Sequence, residues 1–288
     1  MPIRLLASDL DGTLLRSDNS VSQRTRAALQ AADAQGLMVA FVTGRPPRWL
    51  DEVAEATGHI GIAVAANGAL LYDLHTERVV AEHLLDPAAL AEVTTALRKA
   101  FPDVRFGVEY GLEFAYEPDY RHDWEITPVT DRRGRPLPTP VSDELAALID
   151  RPAIKLLAKH RTADPDEFLR VASGLLGARA SVTRSGHSAL LEIAAPGITK
   201  ATGLAALADS HGIAQSEVAA VGDMPNDVAM LTWAARSFAV ANAHPSAKAA
   251  ADEVIGSNDD DAVAVLIERL LSAEAAATER PRSAESLG

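Results

Sequence analysis

The chain has 288 residues, a formal net charge of −13, a hydrophobic fraction of 48% and no cysteine. Disulfides, thiolate nucleophiles and cysteine-ligated metals are thereby excluded, so a bound metal would rest on oxygen or histidine donors. The acidic balance argues against a nucleic-acid surface, no apolar run reaches the roughly 20 residues that span a bilayer, and the start lacks a secretory pattern, which together point to a cytoplasmic protein of two domains.

Residues 3–8 form a short apolar run of the kind that fills a strand buried on both faces, and Asp9 and Asp11 follow where it ends. In open α/β sheets ligands bind outside the carboxyl ends of strands. Two carboxylates there repel unless a cation lies between them or one keeps a proton. The pair therefore points to a hard metal ion, an acid/base, or both, with an acidic turn as the competing reading. Residues 23–35 read as a helix with Ser22 as N-cap and Gly36 as its stop. Residues 37–42 read as a second buried strand ending in Thr43-Gly44-Arg45-Pro46. A hydroxyl and a glycine at that exit can offer Oγ and N–H groups to a phosphate oxygen, and Arg45 can add a bidentate phosphate contact or form a surface ion pair. A helix over 49–57 and a third strand over 60–65 lead to Asn67-Gly68, a turn and a weak site candidate. This alternation predicts right-handed crossovers and a parallel sheet, with residues 70–72 and 79–81 as a hairpin at its side.

From residue 85 the rhythm changes. Helices over 87–100 and 166–176 alternate with shorter, more amphipathic strands over 104–108, 112–116, 153–159, 180–183 and 189–193, which describes an inserted α+β layer. Within it, Arg121-His122-Asp123-Trp124 is the densest polar and aromatic cluster, able to grip a leaving group or to form a packed structural turn. Past this layer Thr199 is a plausible N-cap that puts Lys200 in the first turn of a helix, where a cation opposes the helix dipole. A local rule broken without structural gain is a mark of functional positions. The strand over 218–221 runs into Gly222-Asp223-Met224-Pro225-Asn226-Asp227, which repeats the acid-after-strand logic of the opening, although a plain turn is the alternative. Residues 238–240 and 254–255 read as the last strands and 260–271 as the closing helix. The tail over 273–288 is expected to be frayed and disordered.

Asp9-Leu10-Asp11-Gly12-Thr13-Leu14 resembles the first motif of the haloacid dehalogenase superfamily. Thr43, Lys200 and the segment 222–227 follow in the order of its Cof-like sugar-phosphate phosphatase branch with a class IIB cap. The matching segments cover most of residues 3–84 and 188–271, and the middle matches only in layout. The resemblance implies a Rossmann-like α/β parallel-sheet core of residues 1–84 and 188–272 with an α+β cap inserted over 85–187. It also implies a Mg²⁺-dependent phosphomonoester phosphatase, with Asp9 as the nucleophile that becomes an aspartyl-phosphate and Asp11 as general acid and base. Mg²⁺ would sit on Asp9, the main-chain oxygen of Asp11 and Asp223, and Thr43, Gly44, Lys200 and Asn226 would surround the phosphoryl group. Asn226 and Asp227 would position the site from behind, Asn67 would lie beside it, and Arg45, Arg121 and Trp124 are candidates for substrate contact. The expected partner is a small phosphorylated metabolite such as a sugar phosphate, with no nucleic acid and no membrane, bound to a monomer or homodimer. A sugar phosphomutase and a non-catalytic phosphoacceptor module are the alternatives. Asp11 speaks against the second, since a long-lived phosphoacceptor does better without an adjacent acid/base.

Overall fold

The first strand, β1 (Leu5–Ser8), is buried along its whole length, and the chain lays further strands of one sheet on either side of it. The protein is seen here in a computed structural model that describes residues 2–59, 61–120, 130–131 and 133–278. Helix α1 (Gln23–Ala34) returns the chain to β2 (Met38–Val42), α2 (Asp51–Thr57) leads to β3 (Ile62–Ala65), and β4 (Leu70–Asp73) and β5 (Arg78–Glu82) form a hairpin. A second sheet then begins with α3 (Pro87–Ala100), β6 (Arg105–Tyr110), β7 (Glu113–Tyr116), β8 (Val141–Ser142) and α4 (Leu145–Leu148). It is completed by β9 (Lys155–Lys159), α5 (Pro165–Leu176), β10 (Ser181–Thr183) and β11 (Leu190–Ala194). The chain returns through α6 (Lys200–Ser210), β12 (Val218–Gly222), α7 (Val228–Trp233), β13 (Arg236–Ala239), α8 (Pro245–Ala250), β14 (Glu253–Val254) and α9 (Ala262–Thr278).

The larger sheet has the order β14-β13-β12-β1-β2-β3-β4-β5, parallel from β14 to β3 and antiparallel over the hairpin. Helix α1 packs with α2 and α9, and α7 packs with α6 and α8, so helices cover the sheet in two groups, as a parallel sheet requires. Local chemistry sets the helix ends. The Ser22 side chain accepts from the Thr25 N–H, Thr199 does the same for Thr202, and Gly36 turns the chain at φ 78° after α1.

The smaller sheet has the order β10-β11-β9-β6-β7-β8 and is antiparallel except between β7 and β8. Its side chains divide by the two-residue period of a strand. Phe106 and Val108 of β6, Leu156 and Ala158 of β9, and Leu191 and Ile193 of β11 join a core with Leu90, Leu97 and Phe168 of the covering helices. Glu109, Lys155, Leu157, Leu190 and Glu192 carry the opposite parity and line a cavity.

Two boundaries differ from the sequence reading. Strand β11 lies in the smaller sheet, paired with β9 and β10, so the chain does not rejoin the larger sheet at residue 188 but only after Ala194. The motifs before and after this strand carry no mark of which sheet receives it; pairing decides that. The last helix also runs past residue 271 to Thr278, because an alanine-rich stretch propagates a helix without any apolar periodicity. Residues 279–288 lie outside the described residues, as does the Arg121, His122, Trp124 cluster.

Close packing joins the turn after β3 to the start of α6 at Gly68, which has φ +97° and whose missing Cβ would sit 2.1 Å from the Thr199 carbonyl oxygen. Gly111, at φ +83°, has nothing within 4 Å. Gly68→Ala is therefore expected to cost roughly 2–5 kcal/mol, strain plus collision, against roughly 1–2 kcal/mol for the strain of Gly111→Ala. Urea unfolding of both variants measures the difference, and equal losses would contradict the packing assigned to Gly68.

Candidate active site

Lys200 has no exposed surface, and its Nζ lies 2.5 Å from Asp9 Oδ1 and 2.6 Å from Asp227 Oδ1. Each partner is delivered by a strand end. Asp9 follows β1, and its N–H donates to the Val221 carbonyl of the neighbouring β12, while Asp223 and Asp227 follow β12 itself. The second oxygen of Asp227 accepts the N–H groups of Asp223 and Met224, both at 2.9 Å. Asp227 thus accepts from one ammonium and two amides, whereas Asp223 receives the Thr13 hydroxyl at 3.0 Å. Gly12, at φ +75°, is required here: a Cβ would lie 2.6 Å from Asp223 Oδ2.

Thr43 is buried, with its Oγ1 accepting the Arg45 N–H at 3.1 Å. The guanidinium of Arg45 turns to Asp11, donating from Nε at 2.8 Å and from Nη2 at 2.5 Å. Arg45 thus forms an ion pair, one of the two readings open for it. Asn67, with a left-handed φ of 56°, donates to Glu192 Oε2 at 2.8 Å and accepts from Asn226 Nδ2 at 3.0 Å. A cavity of about 500 Å³ runs over this floor and is lined by Asp9, Asp11, Gly44, Arg45 and Asn226 below and by the polar face of the smaller sheet above.

That upper wall was not recognised in the sequence. Lys155 is buried and donates to the Gly44 carbonyl at 2.7 Å and to Glu192 Oε2 at 2.8 Å, and it stands 3.2 Å from Glu109. Arg48 holds the other Glu109 oxygen at 2.7 Å. Burial favours the neutral form of Glu109, but the Lys155 and Arg48 charges more than offset it and hold its carboxyl below the ordinary range. Burial likewise opposes the charge on Lys155, and Glu109 and Glu192 reverse that. The usable signal was a charged residue inside each apolar strand run.

A profile of the haloacid dehalogenase-like hydrolases matches residues 6–267. The chain belongs to this family. It falls in the Cof-like branch and is a phosphoric monoester hydrolase. The hydrolase is 30% identical to the "Putative phosphatase YxeH" of Bacillus subtilis, over 94% of its own length and 99% of the relative's. It is 26% identical to the B. subtilis protein named 5-amino-6-(5-phospho-D-ribitylamino)uracil phosphatase YwtE, over 94% and 99% of the two chains. Its fold superimposes on the subclass IIB sugar phosphatase BT4131 with a TM-score of 0.76 at 21% identity, over 92% and 98% of the chains.

Phosphatases of this family generally use a divalent metal, and the hydrolase offers a donor set that fits one. Among the described residues, the carboxylates of Asp9, Asp223 and Asp227 place one oxygen each within 4.8 Å of one another. All three are buried against the single ammonium of Lys200, so ionising them all leaves negative charge in excess. Burial, reinforced by Asp227 and Asp11 against the opposing pull of Lys200, pushes Asp9 up to about 7. Burial and the charges of Asp9 and Asp227 push Asp223 up to about 9. Lys200 shifts upward too, since Asp227 and Asp9 outweigh its burial. Hard oxygen donors in charge deficit suit a hard divalent cation. Asp227 already accepts on both oxygens, so Asp9 and Asp223 are the more open carboxylates of the three.

These shifts have a direction in pH. The folded-state values of Asp9 and Asp223 lie above the ordinary 3.8, so the stability linked to them is greatest below that value. It is lost as pH rises through about 7 and about 9 respectively. A cation that binds the ionised pair restores it. Mg²⁺ should therefore raise the unfolding temperature of metal-free protein more at pH 8 than at pH 5. Calorimetry at both pH values checks this, and an equal or larger effect at pH 5 would remove the acids from the cation site.

Proposed function

We propose that this hydrolase is a Mg²⁺-dependent phosphatase of small phosphomonoesters and that it works through an aspartyl-phosphate on Asp9. The observation that carries the proposal is the buried Asp9 at the floor of the cavity, with one oxygen held by Lys200 and the acids of Asp223 and Asp227 beside it. Lys200 occupies Oδ1 and leaves the other oxygen free to attack phosphorus in line. The new O–P bond displaces the ester oxygen, which takes a proton from Asp11. Asp11 then removes a proton from water, whose oxygen attacks the same phosphorus and regenerates the Asp9 carboxylate with release of orthophosphate. Its exposed position and pairing with Arg45 are compatible with this exchange, since a surface ion pair opens at small cost.

Bound between Asp9 and Asp223 with the Asp11 carbonyl, Mg²⁺ would supply charge to the phosphoryl oxygens that the acids otherwise repel. Thr43 Oγ1 and the Gly44 N–H, with Lys200, are assigned to the remaining oxygens. The leaving group is assigned to the upper part of the cavity, under the open face of the smaller sheet, which we take as a cap over residues 85–194 in place of the 85–187 expected from sequence. The mixed donors and acceptors of that wall suit a hydroxylated leaving group. The relatives named for a ribityl phosphate support the same class.

The test is phosphate release from a panel of sugar and polyol phosphates with Mg²⁺ and with excess EDTA. Asp9→Asn replaces the nucleophile by an amide of nearly the same shape and should lower turnover by roughly 10³-fold or more, with cooperative unfolding retained. Undiminished turnover by the folded variant, or full activity in EDTA, contradicts the proposal. Transfer of the phosphoryl group to a second hydroxyl of the sugar, without orthophosphate, would indicate a mutase instead.

A further inference from the structure

The polar contacts between the two sheets have a direction that chemistry imposes. Glu192 on β11 receives hydrogen bonds on both oxygens: Oε2 from Lys155 Nζ and from Asn67 Nδ2, each at 2.8 Å, and Oε1 from the Ser185 hydroxyl. It acts only as an acceptor. The amide of Asn67 must therefore turn its nitrogen to Glu192, which leaves its oxygen for the far side. That oxygen can be satisfied only by a donor, so Asn226 must turn Nδ2 toward it, as it does at 3.0 Å. Asn226 Oδ1 is consequently held away from Asn67, buried and without a hydrogen-bond partner among the described residues. One carboxylate on the smaller sheet thus dictates the orientation of two carboxamides in the larger domain. The second of them immediately precedes Asp227, the partner of Lys200.

The backbone at the middle of this chain of hydrogen bonds lies in the left-handed region. Ala66 and Asn67 both have left-handed φ, 49° and 56°, immediately before Gly68 at 97°. Neither is a glycine, and two consecutive non-glycine residues in that region cost energy that surrounding contacts must offset. The segment is held from both sides: the Asn67 N–H donates to the Thr43 carbonyl at 2.9 Å, and its side chain spans Glu192 and Asn226. Lys155 adds a second tie from the smaller sheet through the Gly44 carbonyl, next to Thr43.

We propose that Glu192 is a positioning residue for the phosphatase reaction. Carried in by the smaller sheet, it fixes the amide of Asn67 and, through it, that of Asn226, so that closure of the two domains and assembly of the Asn226–Asp227 loop are a single event. The proposal rests on the phosphatase reading above. It explains why a buried carboxylate with all its hydrogen bonds to protein donors sits at the domain boundary. When the cap lifts, Glu192 and Lys155 leave together, Asn67 loses its orienting acceptor, and both carboxamides are free to turn.

A polarity reversal tests it. Asn67→Asp keeps the shape but sets a carboxylate against Glu192, while still accepting from Asn226. It should lower kcat for para-nitrophenyl phosphate with Mg²⁺ by about 10- to 100-fold, the size usual for partners that orient the groups in contact with the reaction, with little change in KM. Glu192→Gln alone retains an accepting oxygen for Asn67 and should cost less. The double variant Asn67→Asp with Glu192→Gln restores a donor–acceptor pair of reversed sense, in which the amide introduced on β11 donates to the carboxylate introduced after Ala66, while Lys155, which shares that Glu192 oxygen in the wild type, keeps the Gly44 carbonyl, Glu109 and the new carboxylate as acceptors. It should recover most of the lost kcat. Equal unfolding midpoints across the set would separate positioning from mere packing. Asn67→Asp with wild-type kcat, or a double variant no better than Asn67→Asp, overturns the relay. An inactive wild-type protein with Mg²⁺ overturns the phosphatase reading instead.

Discussion

A buried ammonium must be matched by negative charge within hydrogen-bond reach, and at Lys200 this requirement ties three distant segments of the chain together. Its two partners come from the exit of β1 and the exit of β12, and Lys200 itself opens α6. Leaving any one of these charges buried and unpaired would cost several kcal/mol, of the order of the stability of a whole domain. The neighbouring order of β1 and β12 and the packing of α6 against the Asn67–Gly68 turn follow the same constraint. The acids outnumber the ammonium, and that imbalance makes the site attractive to a cation as well as to a phosphoryl group that arrives with one.

The smaller sheet meets this site with charged groups rather than with an apolar face. Its hydrophobic side is covered by α3 and α5, while Glu109, Lys155 and Glu192 face the cavity and pair with one another, with Arg48 and with the Gly44 carbonyl. An apolar interface of this size would hold two domains shut. Ion pairs and amides can exchange their partners for water, so a polar boundary is compatible with the proposed closure of the two domains. The desolvation of these groups is offset only while every hydrogen bond is made, which makes the closed geometry specific.

Much of the catalytic floor is legible in the sequence, because it lies at strand exits and helix starts where local rules apply. The acids of the first motif, Thr43, Lys200 with its Thr199 cap, and the segment from Gly222 to Asp227 are each marked by a short apolar run that ends in a turn. Ser22 and Gly36 bound α1, and Pro87 and Ala100 bound α3, where capping chemistry and periodicity place them. The cap wall is harder to read. Glu109, Lys155 and Glu192 interrupt strand patterns one at a time, and nothing local says that Lys155 will lie opposite Glu109 or one diagonal from Glu192.

The chain's own order of residues therefore determined the alternation of strands and helices, the exits that carry the carboxylates proposed to react, and the family of chemistry. These depend on interactions within a few residues of one another. Tertiary structure alone decided that β11 belongs to the smaller sheet, that Arg45 pairs with Asp11, and that Glu192, Asn67 and Asn226 form one directed chain of hydrogen bonds. Register between strands and the meeting of two folded surfaces set those contacts, and the side-chain pairs among them join residues separated by 34 to 159 positions, beyond any local pattern.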